Sequence, residues 1–177
     1  MNLISISEDK NLEKRIAVTP EMAKKYISLG FTLSLSKDYG IHLGFSDNEY
    51  KDLGVNFSDD DKELLNNADI IIQLGLLNDE KLGLLKERQT LIGSLNTFAN
   101  KKRLETLSSK KINCFSLELL PRITRAQSMD ILSSQANLAG YKAVIDAFQI
   151  YERAIPMMMT AAGTIPAAKV LVVGAGV

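Results

Sequence analysis

Apolar residues recur along this chain in two rhythms. Short, mostly apolar runs fall at Leu3–Ile6, Thr32–Ser36, Asp69–Leu74, Thr90–Leu95 and Ile112–Leu117, and each predicts a β-strand. Ile70–Leu74 and Leu91–Leu95 carry so few polar positions that burial on both faces is expected, as in a parallel sheet. Between the runs lie stretches with helical spacing at Pro20–Leu29, Asp59–Asn66, Asp79–Glu87 and Lys101–Ser109. Thr19-Pro20-Glu21 is a helix start, with a capping residue followed by Pro at the first helical position. Gly30 stands where a left-handed cap would end that helix. Strand and helix in alternation predict an α/β fold, a doubly wound and mostly parallel sheet of Rossmann or flavodoxin type, over residues 1–125. In such sheets ligands bind beyond the carboxyl ends of the strands. Arg122 and Gln127 follow the run Ile112–Leu117, so they fall at such a place.

Beyond that lobe the pattern changes. From about Gln127 to Glu152 it is helical and long for one element, which predicts a connector over residues 126–153. Residues 154–177 are largely apolar but broken by Pro156, Gly163, Pro166 and Lys169, so no uninterrupted membrane span is expected. They read as turn, short segment, turn and then a strand at Lys169–Val173, the first strand of a second Rossmann lobe. That strand runs into Gly174-Ala175-Gly176, the opening of the G-x-G-x-x-G dinucleotide fingerprint. A turn after a strand would give the same letters. The third glycine and the helix whose N-terminus would hold a pyrophosphate are not in the sequence. The chain is therefore read as the N-terminal part of a longer one, inactive by itself.

The segment Pro121–Tyr141, PRITRAQSMDILSSQANLAGY, carries the candidate chemistry. Read as a helix, it sets Gln127, Asp130, Ser134, Asn137 and Tyr141 on one face, with Met129, Leu132, Ala136, Ala139 and Ala143 opposite. Between Ala126 and Tyr141 the only charge is Asp130, which a solvated surface helix would not show. Uncharged polar groups on an apolar helix need fixed partners, either a ligand or a neighbouring lobe. The pattern alone leaves both open.

Charge and cysteine narrow the classes. Lys+Arg and Asp+Glu both total 21 and no basic block exists, so a nucleic-acid partner is not expected. The single cysteine, Cys114, lies in an apolar run and is expected to be a buried strand residue. No secretory or transit signal is recognised at the N-terminus, which favours a cytoplasmic location. His42, the only histidine, sits between Gly40 and Gly44 in a predicted surface loop. No metal site is expected.

The segment Pro121–Tyr141 resembles the NAD(H)-holding loop and helix of the alpha subunit of proton-translocating NAD(P) transhydrogenase, in the alanine dehydrogenase/transhydrogenase superfamily. Glu13–Glu21 (EKRIAVTPE) and Leu29–Phe31 are similar to the family's N-terminal lobe, and the tail AAKVLVVGAGV to the start of its nucleotide-binding lobe. The resemblance implies direct hydride transfer between NAD(H) on this component and NADP(H) on a partner, coupled to proton movement by a membrane component. It implies that Arg122, Gln127 and Asp130 act at the nicotinamide, as positioners rather than acids or bases. With Ser128, Met129, Ser133, Gly174 and Gly176 they would form the cofactor site. It also implies a homodimer, peripheral to the inner membrane through its partner subunits.

The alternative within the superfamily is an amino-acid dehydrogenase lobe, and a third reading is an inert folded remnant. Oxidising an amino acid needs a proton acceptor and cations for the carboxylate. Arg15 matches one such cation, but Gln73 stands where a Lys is expected and no His lies near Leu91–Thr97. Arg15 is therefore expected to have a structural or salt-bridge role. Hydride transfer between nicotinamides needs only ring positioning in a dry, preorganised site. The transhydrogenase pattern also carries a Lys at Gln73, and a proline turn where Leu76-Leu77-Asn78 stands, so that edge of the cleft departs from both.

Overall fold

The computed structural model describes residues 1–174, which fall into two compact units, 1–120 and 121 onward. The first is an α/β unit. Its strands are β1 (Asn2–Ser5), β2 (Thr32–Ser36), β3 (Asn56–Ser58), β4 (Ile70–Ile72), β5 (Thr90–Gly93) and β6 (Asn113–Ser116). Its helices are α1 (Pro20–Ser28), α2 (Asp47–Lys51), α3 (Asp61–Asn66), α4 (Asp79–Leu84) and α5 (Lys101–Ser109). All neighbouring strands pair in parallel, in the order β3-β2-β1-β4-β5-β6. This is the doubly wound Rossmann order, and its reversal point lies between β1 and β4.

Two-residue alternation puts each strand's side chains into two cores. From β1, Leu3 enters one cluster with Val18, Leu33, Leu35, Tyr39 and Tyr50, while Ile4 enters the other with Leu65, Ile71, Leu91 and Leu107. Helices α1 and α2 supply Ala23 and Tyr50 to the first cluster, and α3, α4 and α5 supply Leu65, Leu82 and Leu107 to the second. Helices thus cover both faces. Each fully buried Leu contributes roughly 1.5–3 kcal/mol of transfer free energy.

Local signals explain most element ends. Thr19 Oγ1 accepts from the Met22 amide at 3.4 Å, with Pro20 at the first helical position. Gly30 takes φ +86° after α1, as a left-handed cap requires. Two elements had no strong apolar run to announce them. Helix α2 is only five residues, held by a capping box between Ser46 and Glu49. Strand β3 is a three-residue edge with no fully buried side chain.

One expectation in this unit is overturned. Cys114 lies in a strand, but it is exposed. Strand β6 is the sheet's edge, and its first three side chains are solvent-facing.

The second unit contains a 3₁₀ segment (Thr124–Met129), helix α6 (Ile131–Ile150) and a hairpin of β7 (Met158–Thr160) with β8 (Gly163–Ile165). The long helix is present but starts later than predicted, because Asp130 caps it and the 3₁₀ segment precedes it. Gln127 therefore does not share a helical face with Asp130. Lys169–Val173 forms no strand here, and residues 158–165 make the hairpin instead. A parallel strand needs a ladder to join, and among the described residues none is offered to it. No described helix is long and apolar enough to cross a membrane.

Candidate functional site

Asp130 organises the segment singled out by sequence. Its backbone at φ −75°, ψ 91° is extended, as an N-cap must be, and its carboxylate reaches forward onto the first turn of α6. Oδ1 accepts from the Ser133 amide at 2.9 Å and Oδ2 from the Ser133 hydroxyl at 2.6 Å. The Arg122 guanidinium lies beside the same carboxylate, with Nε 3.7 Å from Oδ2. The Ser133 hydroxyl, the Ser133 amide and then Arg122 hold the Asp130 carboxyl below its ordinary value of 3.8. It is thus a fixed anion near neutrality, and a poor proton carrier.

Arg122, Asp130 and Ser133 are therefore brought together, with Arg122 largely exposed and Asp130 partly covered. Gln127, Ser128 and Met129 are exposed on the 3₁₀ segment, whose only buried residue is Ala126. Among the described residues no partner is found for the Gln127 amide. Gly174 has φ +100°, a conformation that favours glycine, and Gly176 lies outside the described residues.

The first unit holds a second place of interest, at the sheet's reversal point. A cavity of about 510 Å³ lies beyond the carboxyl ends of β1 and β4, lined in part by Glu8, Asp9, Glu13, Gln73, Lys81 and Arg103. Gln73 is buried at 3 % exposure and fully engaged. Its Oε1 accepts from the Ser5 hydroxyl at 3.0 Å and the Ile6 amide at 2.9 Å, and its Nε2 donates to Glu8 Oε1 at 3.2 Å. Glu8 Oε1 also accepts from the amides of Leu74 at 2.7 Å and Gly75 at 3.3 Å. Burial raises the Glu8 carboxyl above its ordinary 4.5, against the lowering effect of those two amides. The close approach of β5 is fixed by Gly93, where an added Cβ would collide with the Gln73 carbonyl oxygen.

Sequence reasoning missed Glu8, which looks like part of a solvated charge run in Ser7-Glu8-Asp9-Lys10. The usable signal was position, because it comes three residues after β1 ends, at the edge where ligands gather. Arg15 does have an ion-pair partner, with its Nη2 2.6 Å from Glu13 Oε2. His42 is exposed, its Nε2 2.8 Å from the Lys14 carbonyl oxygen.

Residues 5–139 match the family model described as alanine dehydrogenase/PNT, N-terminal domain, and residues 143–177 match the corresponding C-terminal domain. The chain belongs to the alanine dehydrogenase/PNT family. The two family models adjoin within α6. Among curated relatives, an NAD(P) transhydrogenase subunit alpha from Rickettsia prowazekii is 41% identical over 181 residues, covering 100% of this chain and 47% of the relative. Its counterpart from Rhodospirillum rubrum is 42% identical over 170 residues, covering 93% and 44%. An alanine dehydrogenase from Methanococcus maripaludis is more distant, at 26% over 96% of this chain and 46% of its own length. The chain spans about half the length of the curated relatives it matches. A transhydrogenase crystal structure from Sinorhizobium meliloti superimposes with a TM-score of 0.85 at 39% identity, over 93% of this chain and 50% of that one. An L-alanine dehydrogenase structure shares the fold, with a TM-score of 0.63 at 21% identity over 67% of this chain and 32% of its own.

Proposed function

We propose that this chain is the NAD(H)-side part of an NAD(P) transhydrogenase, in which hydride passes directly between NAD(H) held here and NADP(H) held on a partner component. The observation that carries the reading is the Arg122–Asp130–Ser133 knot, with an uncommitted Gln127 amide beside it in sequence, in a chain about 40% identical to transhydrogenase alpha components over nearly its whole length. The residues suit the group they would hold. A carboxamide and ribose hydroxyls need both donors and acceptors, and Gln127, Arg122 and Ser133 offer them without an acid or base at work. When bound, the nicotinamide supplies the hydride chemistry. The chain's own contribution is positional: Asp130 fixes Ser133 and the start of α6 and holds Arg122 near by, while Gln127 orients the ring end. Ser128 and Met129 would line the same side, and Gly174 and Gly176 would begin the pyrophosphate turn. The partners proposed are a second copy of this chain, an NADP(H)-binding component and a membrane component that couples transfer to proton movement. The chain would then sit in the cytoplasm, peripheral to the inner membrane.

The dehydrogenase reading fits the observations less well. Gln73 spends both ends of its amide inside the protein and leaves no cation at that point for a substrate carboxylate.

The test compares Arg122→Ala and Gln127→Asn with the parent chain, mixed with an NADP(H)-binding transhydrogenase component. Transfer from NADH to an NADP+ analogue at saturating NADH is expected to slow on the order of 100-fold, as for a misplaced reacting ring. NADH affinity should change far less. Lost NADH binding with a normal transfer rate in the bound fraction would refute the positioning role. NADH consumption with pyruvate and ammonia, and none with the partner component, would overturn the assignment in favour of an amino-acid dehydrogenase.

A further inference from the structure

The reversal point of a doubly wound sheet is where a ligand is expected, yet in this chain the donors at that point are already taken. Successive backbone amides of Leu74 and Gly75 converge on one oxygen with the Gln73 side-chain amide, at 2.7, 3.3 and 3.2 Å. Three N–H groups aimed at a single point form an anion-binding concavity. The anion they hold is Glu8 Oε1, delivered by the segment that leaves β1.

We infer that this concavity is a small-carboxylate binding site plugged by the protein's own Glu8 side chain. The inference does not rest on the hydride-transfer reading, because it concerns a different unit of the chain and different residues. Three features support a ligand site over a simple loop staple. The carboxylate borders a cavity of about 510 Å³, ample for formate or acetate, so the donors are reached from an open space. The two cations in the wall are committed elsewhere, Lys81 to Asp61 at 2.9 Å and Arg103 to Asp79 at 2.7 Å. Gln73, whose amide completes the donor set, is itself locked from behind by Ser5 and Ile6, so the concavity is preorganised.

The plug has a consequence for specificity. A free anion entering the cavity meets the carboxylates of Glu8, Asp9 and Glu13 in its lining and finds no unclaimed donor among these groups. With Glu8 seated the crevice is closed to carboxylates. With Glu8 removed it is open to them.

The experiment is rescue of Glu8→Ala by small carboxylates, read as thermal unfolding. In dilute buffer the variant should lose on the order of 5 °C in Tm, the size expected when charge-assisted hydrogen bonds are lost from a chain of this length. Sodium acetate or formate should restore much of that loss in a saturable way, by binding only the folded state. Sodium chloride at equal ionic strength should not. The parent protein and Glu8→Gln, whose amide oxygen still plugs the concavity, should respond to acetate and chloride alike. If Glu8→Ala is unfolded in dilute buffer, refolding yield in acetate against chloride reads the same contrast. Equal responses of Glu8→Ala to the two salts, in melting or in refolding, would overturn the inference and leave Glu8 as a loop staple.

Discussion

The two units of this chain solve the problem of apolar surface in opposite ways. In residues 1–120 the apolar side chains close on one another across a sheet covered on both faces. Every buried apolar residue among those described, except Ala126, is found there. From Pro121 onward the composition is no less apolar, yet α6 has no buried residue, and Leu138, Tyr141 and Ile150 are 59%, 70% and 79% exposed. A 20-residue helix is about 30 Å long, and soluble monomers rarely leave so much apolar surface bare. The contrast separates a unit stabilised by its own core from one whose helix is held mainly by local devices. These are the Asp130 cap and the i,i+4 ion pair of Lys142 with Asp146. The proposed second copy and the proposed cofactor lobe are both occupants suited to such a helix.

The sharpest way to break this contrast is Leu91→Ala. Leu91 is fully buried in the cluster around β5, and its truncation should cost about 2–5 kcal/mol in a urea melt. A loss below about 1 kcal/mol would mean that the first unit does not depend on that core. A smaller effect is expected from Asp130→Ala, which removes the cap of α6. Amide exchange at Ser133 and Ser134 should quicken several-fold while that of β1 and β4 is unchanged. The same cap gives a pH signature. Because Ser133 holds the folded Asp130 carboxyl below 3.8, its contribution is present in full above that value. It is lost as the pH falls through the lower, folded value, so α6 should fray in acid before β1 does. Helicity that is constant through that range would deny the cap any role. The smallest effect is expected from Leu138→Ser, within about 0.5 kcal/mol in the chain by itself. A loss of about 2 kcal/mol or more would show that α6 is packed after all.

The strands that carry the sheet were legible because burial on both faces leaves an apolar run that nothing else explains. Leu3–Ile6, Thr32–Ser36 and Thr90–Leu95 lie within one or two residues of the strands formed. Strand β3 and helix α2 were not legible, since an exposed edge and a five-residue helix leave too little periodicity. The Ser46–Glu49 capping box was the one usable sign of α2. At the candidate site, sequence pointed to the right residues but the wrong local geometry. Helical spacing suggested a face shared by Gln127 and Asp130, whereas the Asp130 side chain turns back onto Ser133 and starts the helix there. Capping competes with helix continuation through the same side chain, and spacing alone cannot separate the two. Cys114 was misjudged for a different reason. An apolar run announces a strand but not whether that strand ends up at the edge of its sheet.

The place of β1 in the strand order also bears on how the chain is made. As the β1 segment leaves the ribosome, its first neighbour, β2, follows about 30 residues later, but its other neighbour, β4, pairs Ile4 with Ile71. At roughly 5–20 residues per second, the second flank of β1 stays open for about 3–13 s of synthesis. Throughout that time a strand made for the centre of the sheet is one of its edges, and Leu3 and Ile4 are on offer to any passing chain. The interval is set by the order in which the strands are threaded, so no gain in the stability of the finished sheet shortens it.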